Sequence, residues 1–239
     1  MKKIIIFAVI IAIFAAIGLG VKRFVEGPAQ PVDGILVSGI ATDVEKAKQV
    51  FKEDIKKSLD YKVKYVTTTK EKQFSEKDKP EELKDEDKVD TSEYAVISNS
   101  TALKLFNKGI LRARKDPLSV SSISEPVKDK NKISSNHNLY FSLSDWYVEN
   151  NQVNLNGKMI PIKYVKQQIW IGYDPMDLVI LKDQDYNTLS EPESIMRLIQ
   201  FKNRNFDYKN KQEVEKVLKE LDKTSPTSEN KINFVEVQD

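Results

Sequence analysis

The chain has 239 residues, of which 40% are hydrophobic and 31% charged, a composition typical of a folded protein rather than a disordered one. Its net charge is +2, but Lys2, Lys3, Lys22 and Arg23 all lie in the first 24 residues, where there is no acidic side chain. The remainder therefore carries a net charge of −2. A folded part so close to neutrality offers no basic surface, so we expect no nucleic-acid partner.

The sequence contains no cysteine and a single histidine, His137. The missing cysteine excludes disulfides, thiolate metal sites, cysteine nucleophiles and a lipid-modified N-terminal cysteine. The single histidine excludes a multi-histidine metal site within one chain. No cofactor-binding motif is present, and we expect no cofactor.

An unbroken apolar run covers residues 4–21, with two lysines before it and Lys22 and Arg23 directly after it. As a helix the run would be about 27 Å long, close to the thickness of a hydrocarbon core. Its length and the flanking cations favour an uncleaved single-pass anchor within residues 1–24 over a cleaved signal peptide. We expect the folded part to lie outside the cytoplasm, or to be secreted if the segment is cleaved; a domain facing the cytoplasm is the alternative.

Residues 25–33 contain two prolines and a glycine and are interpreted as a spacer. The next part, 34–125, begins with an apolar strand at 34–40. Thr42 and Glu45 have the spacing of a capping box and predict a helix, whose apolar stripe continues to Leu59.

The rest of the first part contains two more strands and a charged insertion. Residues 61–68 alternate in polarity and predict a strand, and 93–98 predict another, followed by a helix at 99–107. Between these strands, 70–90 is so rich in both charges that we interpret it as a solvated loop.

The second part, 126–239, is β-rich. Asn156-Gly157 is the strongest hairpin signal in the chain, between strands expected at 153–155 and 159–164. Further strands are expected at 139–143, 146–148, 168–171, 178–181 and 232–237. A capping box of Ser190 and Glu193 predicts a helix over 195–202, and Asn210 predicts the cap of a last helix. The chain as a whole is predicted to be α/β or α+β, with a mixed sheet and about four helices.

Three oxygen-bearing side chains, Asp183, Asp185 and Asn187, have a D-x-D-x-N spacing. Alternating oxygen ligands in a tight loop are what calcium takes in an EF-hand. Thr188 stands where that loop needs glycine, and Ser194 stands where it needs glutamate. The two interpretations are a calcium site and an acidic surface turn.

Aromatic side chains gather in the β-rich part, and Trp146, Tyr147, Trp170 and Tyr173 are the candidate ligand-binding residues among them. Aromatic rings on a sheet face can stack on a sugar or on a peptide side chain. The alternative is that they pack in the core and across strands.

Residues 93–109, EYAVISNSTALKLFNKG, form a strand, an asparagine-containing loop and a helix start. This segment resembles the strand-to-helix segment of NlpA/MetQ-type solute-binding proteins. In that family the segment borders the amino-acid site, so the resemblance implies a ligand-binding role for Asn99.

Three functional hypotheses follow. The first is a non-enzymatic binding or assembly module, tethered by residues 4–21, that contacts another envelope protein. The second is a tethered solute-binding domain. The third is an envelope hydrolase that uses carboxylates such as Asp145, Asp174 or Asp177.

Overall fold

The computed structural model describes residues 29–71, 89–116, 123–223 and 231–238. Residues 31–239 form one compact unit. The predicted anchor at 4–21 lies outside the described residues, as does most of the charged tract at 70–90. Within the part that the structure describes, no helix combines the length and the apolar character needed to cross a bilayer.

The described residues form sixteen strands and four α-helices. The strands are β1 Pro31–Val32, β2 Gly34–Gly39, β3 Ile55–Glu71, β4 Val89–Ser98, β5 Leu111–Arg114, β6 Ser124–Pro126, β7 Leu139–Phe141, β8 Val148–Glu149, β9 Gln152–Leu155, β10 Lys158–Pro161, β11 Lys163–Val165, β12 Ile169–Ile171, β13 Asp177–Leu181, β14 Ser194–Phe201, β15 Phe206–Asp207 and β16 Lys231–Val235. The helices are α1 Ala41–Val50, α2 Asn99–Phe106, α3 Asp183–Asn187 and α4 Lys211–Asp222.

Eight strands form the central sheet, in the order β11-β7-β13-β4-β3-β14-β2-β16. Three small sheets surround it: β1-β15, β10-β9-β8 and β12-β5-β6. The central sheet takes strands from both the 34–125 and the 126–239 parts of the chain. The expectation of a mixed-sheet α+β fold with about four helices is confirmed for the described residues.

The predicted strand–helix–strand unit at the start of the fold is present in a split form. Strands β2 and β3 are both antiparallel to β14, which lies between them, so the two strands joined through α1 run parallel to each other. A second parallel pair is formed by β4 and β13, and α2 begins where β4 ends.

One face of the central sheet, called here the front face, packs against α2 and the β12-β5-β6 sheet. Successive residues of a strand point to opposite faces, so this face takes alternate side chains such as Leu36, Ala95, Ile97 and Leu198. Leu105 of α2 and Leu111 of β5 complete the same cluster. This cluster is the largest of the three in the core.

The opposite face, called the back face, is covered in two halves. Over β2 and β14, helices α1 and α4 pack through Ala47 and Val217. Over β4 and β13, the small sheet β10-β9-β8 and helix α3 pack through Val153 and Tyr186. Because both faces are covered, the central strands are apolar on both sides.

The predicted helix at 195–202 is wrong, since these residues form β14, a central strand. Met196 and Leu198 face the front cluster, while Ile199 and Phe201 face the back. A strand buried on both faces loses its polar alternation, and its apolar residues can then match a helical spacing by coincidence.

The helical stripe predicted through Leu59 also extends too far. Helix α1 ends at Val50, and both Ile55 and Leu59 belong to β3. The Asn156-Gly157 hairpin is confirmed: β9 pairs antiparallel with β10, and both turn residues have positive φ, 52° and 83°.

Candidate ligand-binding cavity

A cavity of about 330 Å³ lies on the front face of the central sheet. Its floor is apolar and comes from three strands, through Leu36 of β2, Ala95 of β4 and Met196 of β14. Its side wall comes from Ile171, the last residue of β12, and from residues 174–176, which follow that strand. A concave, mostly apolar space with a few polar groups is the usual form of a small-molecule site.

The cavity exists because the sheet curves around it. Lys231 of β16 forms an ion pair with Glu93 of β4, although three strands separate β16 from β4 in the sheet order. On a flat sheet those two strands would be about 19 Å apart, too far for the two side chains to meet. The front face is therefore concave here, and its hollow is the cavity.

Lys231 and its partners form one polar part of the cavity wall. The Lys231 Nζ atom lies 4.0 Å from the centroid of the Tyr65 ring, in addition to its ion pair with Glu93. Burial raises the pKa of Tyr65 above its ordinary value. The ammonium thus sits between a carboxylate and an aromatic face, two groups that both favour a cation.

The side wall is held in place by Asn233 of β16. Its Oδ1 atom accepts hydrogen bonds from the backbone N–H of Tyr173 at 2.9 Å and of Asp174 at 3.2 Å. Its Nδ2 atom donates to the carbonyl of Ile171 at 2.6 Å. Gly172 has φ +69°, and a Cβ atom there would collide with the Asn233 side chain. The wall therefore depends on this glycine and this asparagine together.

Asp174 is the second polar group of the wall. The hydroxyl of Tyr208 donates a short hydrogen bond to Asp174 Oδ1. Burial raises the pKa of Asp174, and the bond from Tyr208 opposes that rise. Burial and the neighbouring carboxylate raise the pKa of Tyr208, which keeps its proton available for this bond.

The four aromatic candidates do not converge on one site, and none of them lines this cavity. Tyr173 is buried, donates its hydroxyl to the Pro31 carbonyl at 2.7 Å and stacks on Tyr208. Trp170 is fully buried. Tyr147 packs edge-on against Tyr94 below the back face. All three side chains are therefore packed inside the fold, as the alternative interpretation of the aromatic residues expected.

Trp146 differs from the other three because it is exposed, with 37% of its surface accessible. The Lys70 ammonium lies 4.9 Å from its ring centroid and donates to its backbone carbonyl at 2.7 Å.

Asn99 is the first residue of α2, at the carboxyl end of β4. Its Oδ1 atom is buried and accepts no hydrogen bond from the described residues. Its neighbours Ser98 and Ser100 line a second, more polar hollow of about 300 Å³, together with Asp183 and Asn187. The structure thus brings the position implied by the resemblance close to the predicted metal residues, away from the front-face cavity.

The predicted calcium residues lie on a helix, not in the tight loop that the spacing suggested. Side chains two residues apart on a helix diverge by about 200°, so Asp183 and Asp185 point to different partners. Asp183 Oδ1 accepts from the Ser100 backbone N–H at 3.0 Å, which lowers the pKa of Asp183. Asp185 Oδ2 accepts from Asn138 Nδ2 at 2.9 Å. Among the described residues, no three carboxylate or histidine side chains are grouped as metal ligands; calcium binding here stays a prediction.

The three aspartates of the hydrolase hypothesis have different surroundings. Asp145 is exposed, whereas Asp174 lines the front-face cavity. Asp177 begins β13 and accepts a hydrogen bond from the Tyr140 hydroxyl at 3.1 Å, and burial raises the pKa of Asp177. Asp174 is the only one of these three that faces the cavity.

The residues that give the cavity its chemistry, Lys231, Glu93 and Tyr65, were not singled out by the sequence. Lysine and glutamate are abundant in the chain, and the pair is separated by more than half of its length. The curvature of the sheet brings them together, and local sequence patterns do not predict that curvature.

Comparison with known proteins identifies two similarities. Residues 32–238 match the sequence model of an uncharacterised lipoprotein family. The fold is similar to the crystal structure of a proposed lipoprotein from Bacillus anthracis, with a TM-score of 0.55 and 19% sequence identity, over 86% of this chain and 99% of that one. No curated protein matches the sequence.

Proposed function

The chain belongs to an uncharacterised lipoprotein family, and from this membership we propose that it is a membrane-anchored, extracytoplasmic protein. From its front-face cavity we propose that it binds a small solute. Membership in a lipoprotein family implies attachment to a membrane and a position outside the cytoplasm. That implication agrees with the location expected from the sequence. The bound solute is the new element of the proposal, and it rests on the front-face cavity.

We propose the apolar run at 4–21 as the attachment. The family description implies a lipid anchor, but the sequence has no cysteine to carry one. The run is long enough for a single-pass helix, and Lys22 and Arg23 would end it at the interface. Deletion of residues 1–24 should move the protein from the membrane fraction to the soluble fraction. A shortened protein that still sediments with membranes would contradict this attachment.

The observation that carries the binding function is the cavity itself, with its apolar floor and its polar groups at Lys231, Glu93 and Asp174. A space of about 330 Å³ lies within the range of pockets that hold small organic molecules.

The test is a thermal-shift screen of residues 25–239 against amino acids, short peptides, sugars and short-chain organic acids. A ligand that binds only the native state raises the melting temperature. Ala95→Phe would place a ring on the cavity floor and should abolish the shift. Met159→Phe adds the same ring at an exposed site outside the cavity and should leave the shift intact.

Flat melting curves across the whole screen would remove the solute-binding proposal. Shifts that survive Ala95→Phe would move the binding site away from this cavity. Both variants should first be shown to melt cooperatively without ligand, because a ring at Ala95 could also disturb the sheet.

A second candidate is assembly with another envelope protein, favoured by the exposed loop between β7 and β8. Leu143 and Trp146 are both large, apolar and exposed in this loop. Exposed tryptophan is enriched at the centres of protein interfaces. Crosslinking in intact cells should recover one specific envelope protein with the native chain and lose it with Trp146→Ala. Recovery of background proteins alone would count against this candidate.

A further inference from the structure

The Lys231 ammonium has an unused capacity for hydrogen bonding inside the cavity. It carries three N–H donors. Within the described ranges its Nζ atom is buried, pairs with Glu93, lies over the Tyr65 ring and makes no other polar contact. One donor can serve the carboxylate and a second the ring face. The third is available to an oxygen of a molecule in the cavity.

Asp174 provides the opposite charge at the other end of the same wall. Its backbone N–H is bonded to Asn233, which is two residues after Lys231 on the same face of β16. Residues two apart on a strand are separated by about 7 Å. The Lys231 ammonium and the Asp174 carboxylate therefore belong to one cavity lining, together with the Glu93 carboxylate that pairs with Lys231.

Between these two polar groups the surface is apolar. Leu36 and Met196 form the floor and Met176 the wall. Methionine side chains are flexible and adapt to the shape of what packs against them. The apolar part of a ligand would lie here, while its polar groups point to Lys231 and Asp174.

We propose that the cavity binds a small zwitterion, with a carboxylate on Lys231, an ammonium group on Asp174 and an apolar chain on the floor. A monovalent cation or anion would satisfy only one of the two charged groups. Lys231 keeps its ion pair with Glu93 and Asp174 keeps its bond from Tyr208 in either case, so a zwitterion gains one more charge-assisted contact than a singly charged molecule. This inference deepens the proposed small-solute function and rests on it.

The test uses three six-carbon probes: norleucine carries both a carboxylate and an ammonium group, hexanoate only the carboxylate and hexylamine only the ammonium group. We expect wild-type protein to bind norleucine about tenfold or more tightly than either of the other two, since each lacks one charge-assisted contact. Isothermal titration calorimetry on residues 25–239 measures the three affinities directly.

Two variants should each remove one part of the preference for norleucine. Lys231→Met removes the partner of the carboxylate, so norleucine should lose its advantage over hexylamine. Asp174→Asn keeps an acceptor for the Tyr208 hydroxyl and removes the charge, so norleucine should lose its advantage over hexanoate. Lys216→Met, on the exposed side of α4, makes the same charge change and should alter nothing.

The outcomes distinguish the zwitterion inference from the proposed binding of a small solute. If hexanoate or hexylamine binds as well as norleucine, the zwitterion inference is overturned while solute binding stands. The same holds if all three probes fail but the broader screen finds a ligand that Ala95→Phe excludes. If both the probes and the screen fail, the two proposals fall together.

Discussion

At the scale of single residues, the wall of the cavity depends on one close approach. Gly172 adopts φ +69°, a conformation that side chains with a Cβ atom adopt only with strain. The Asn233 side chain also occupies the space that a Cβ atom would need. The same asparagine makes hydrogen bonds to three backbone groups on either side of the glycine.

We predict that Gly172→Ala lowers the free energy of unfolding by about 2 kcal/mol or more, because backbone strain and the displacement of Asn233 add together. Gly157→Ala is the matched control. Its φ is +83°, but no atom lies within 4 Å of the added Cβ, so only the strain is introduced. Urea denaturation measures both. Equal losses in the two variants would show that the contact with Asn233 contributes nothing.

At the scale of elements, one arginine joins a strand to a neighbouring strand and to a helix. Arg197 of β14 donates to both carboxylate oxygens of Asp60 in β3, at 2.6 and 2.7 Å, and to Glu45 in α1. The Arg197 guanidinium lowers the pKa of both acids. A forked arginine with two carboxylates has the geometry in which a surface ion pair contributes to stability.

The ion pairs of Arg197 with Asp60 and Glu45 predict that stability depends on pH. The pKa of Asp60 in the folded protein is below its ordinary value of 3.8, so the contribution is complete above that pH and is lost as the pH falls through the lowered value. Arg197→Met should lower the melting temperature by about 2 °C at pH 7. The difference between variant and wild type should shrink below pH 3.8. A difference that stays constant down to pH 2 would assign the effect to lost packing instead.

The elements also show which parts of the fold the sequence could predict. The Asn156-Gly157 turn, the cap at Asn210 and the strand before α2 were predictable, because each depends on a local conformational preference. The sequence pattern of β14 predicts a helix, but these residues form a strand. Packing on both faces of β14 decides its conformation, and that packing is not visible in its own pattern.

At the scale of the whole molecule, residues 31–239 form one unit whose central sheet interleaves early and late strands. Strand β14, from the 126–239 part, lies between β2 and β3 of the 34–125 part. Neither part could keep its share of the sheet without the other. The cavity shares this dependence, since its floor and walls come from both parts. This is why the cavity could not be predicted: its residues share no local sequence pattern.

We predict a single thermal transition for residues 25–239 in scanning calorimetry. The unfolding enthalpy should be about 150 kcal/mol near 60 °C, at about 0.7 kcal/mol per residue. The van't Hoff and calorimetric enthalpies should agree, because the two parts lose their shared sheet together. Two resolved transitions would show instead that 34–125 and 126–239 unfold independently.

The pairing of β2 with β16 joins two distant parts of the chain. The contact between Asp33 and Val237 joins residues 204 positions apart, and the adjoining strands pair over five residues. Contacts so distant along the chain form slowly, because the loop between them must close first. Lys231 reaches Glu93 only when β16 has docked. The proposed capacity to bind a ligand should therefore be absent until β16 has paired, and a chain stopped before residue 231 should never acquire it.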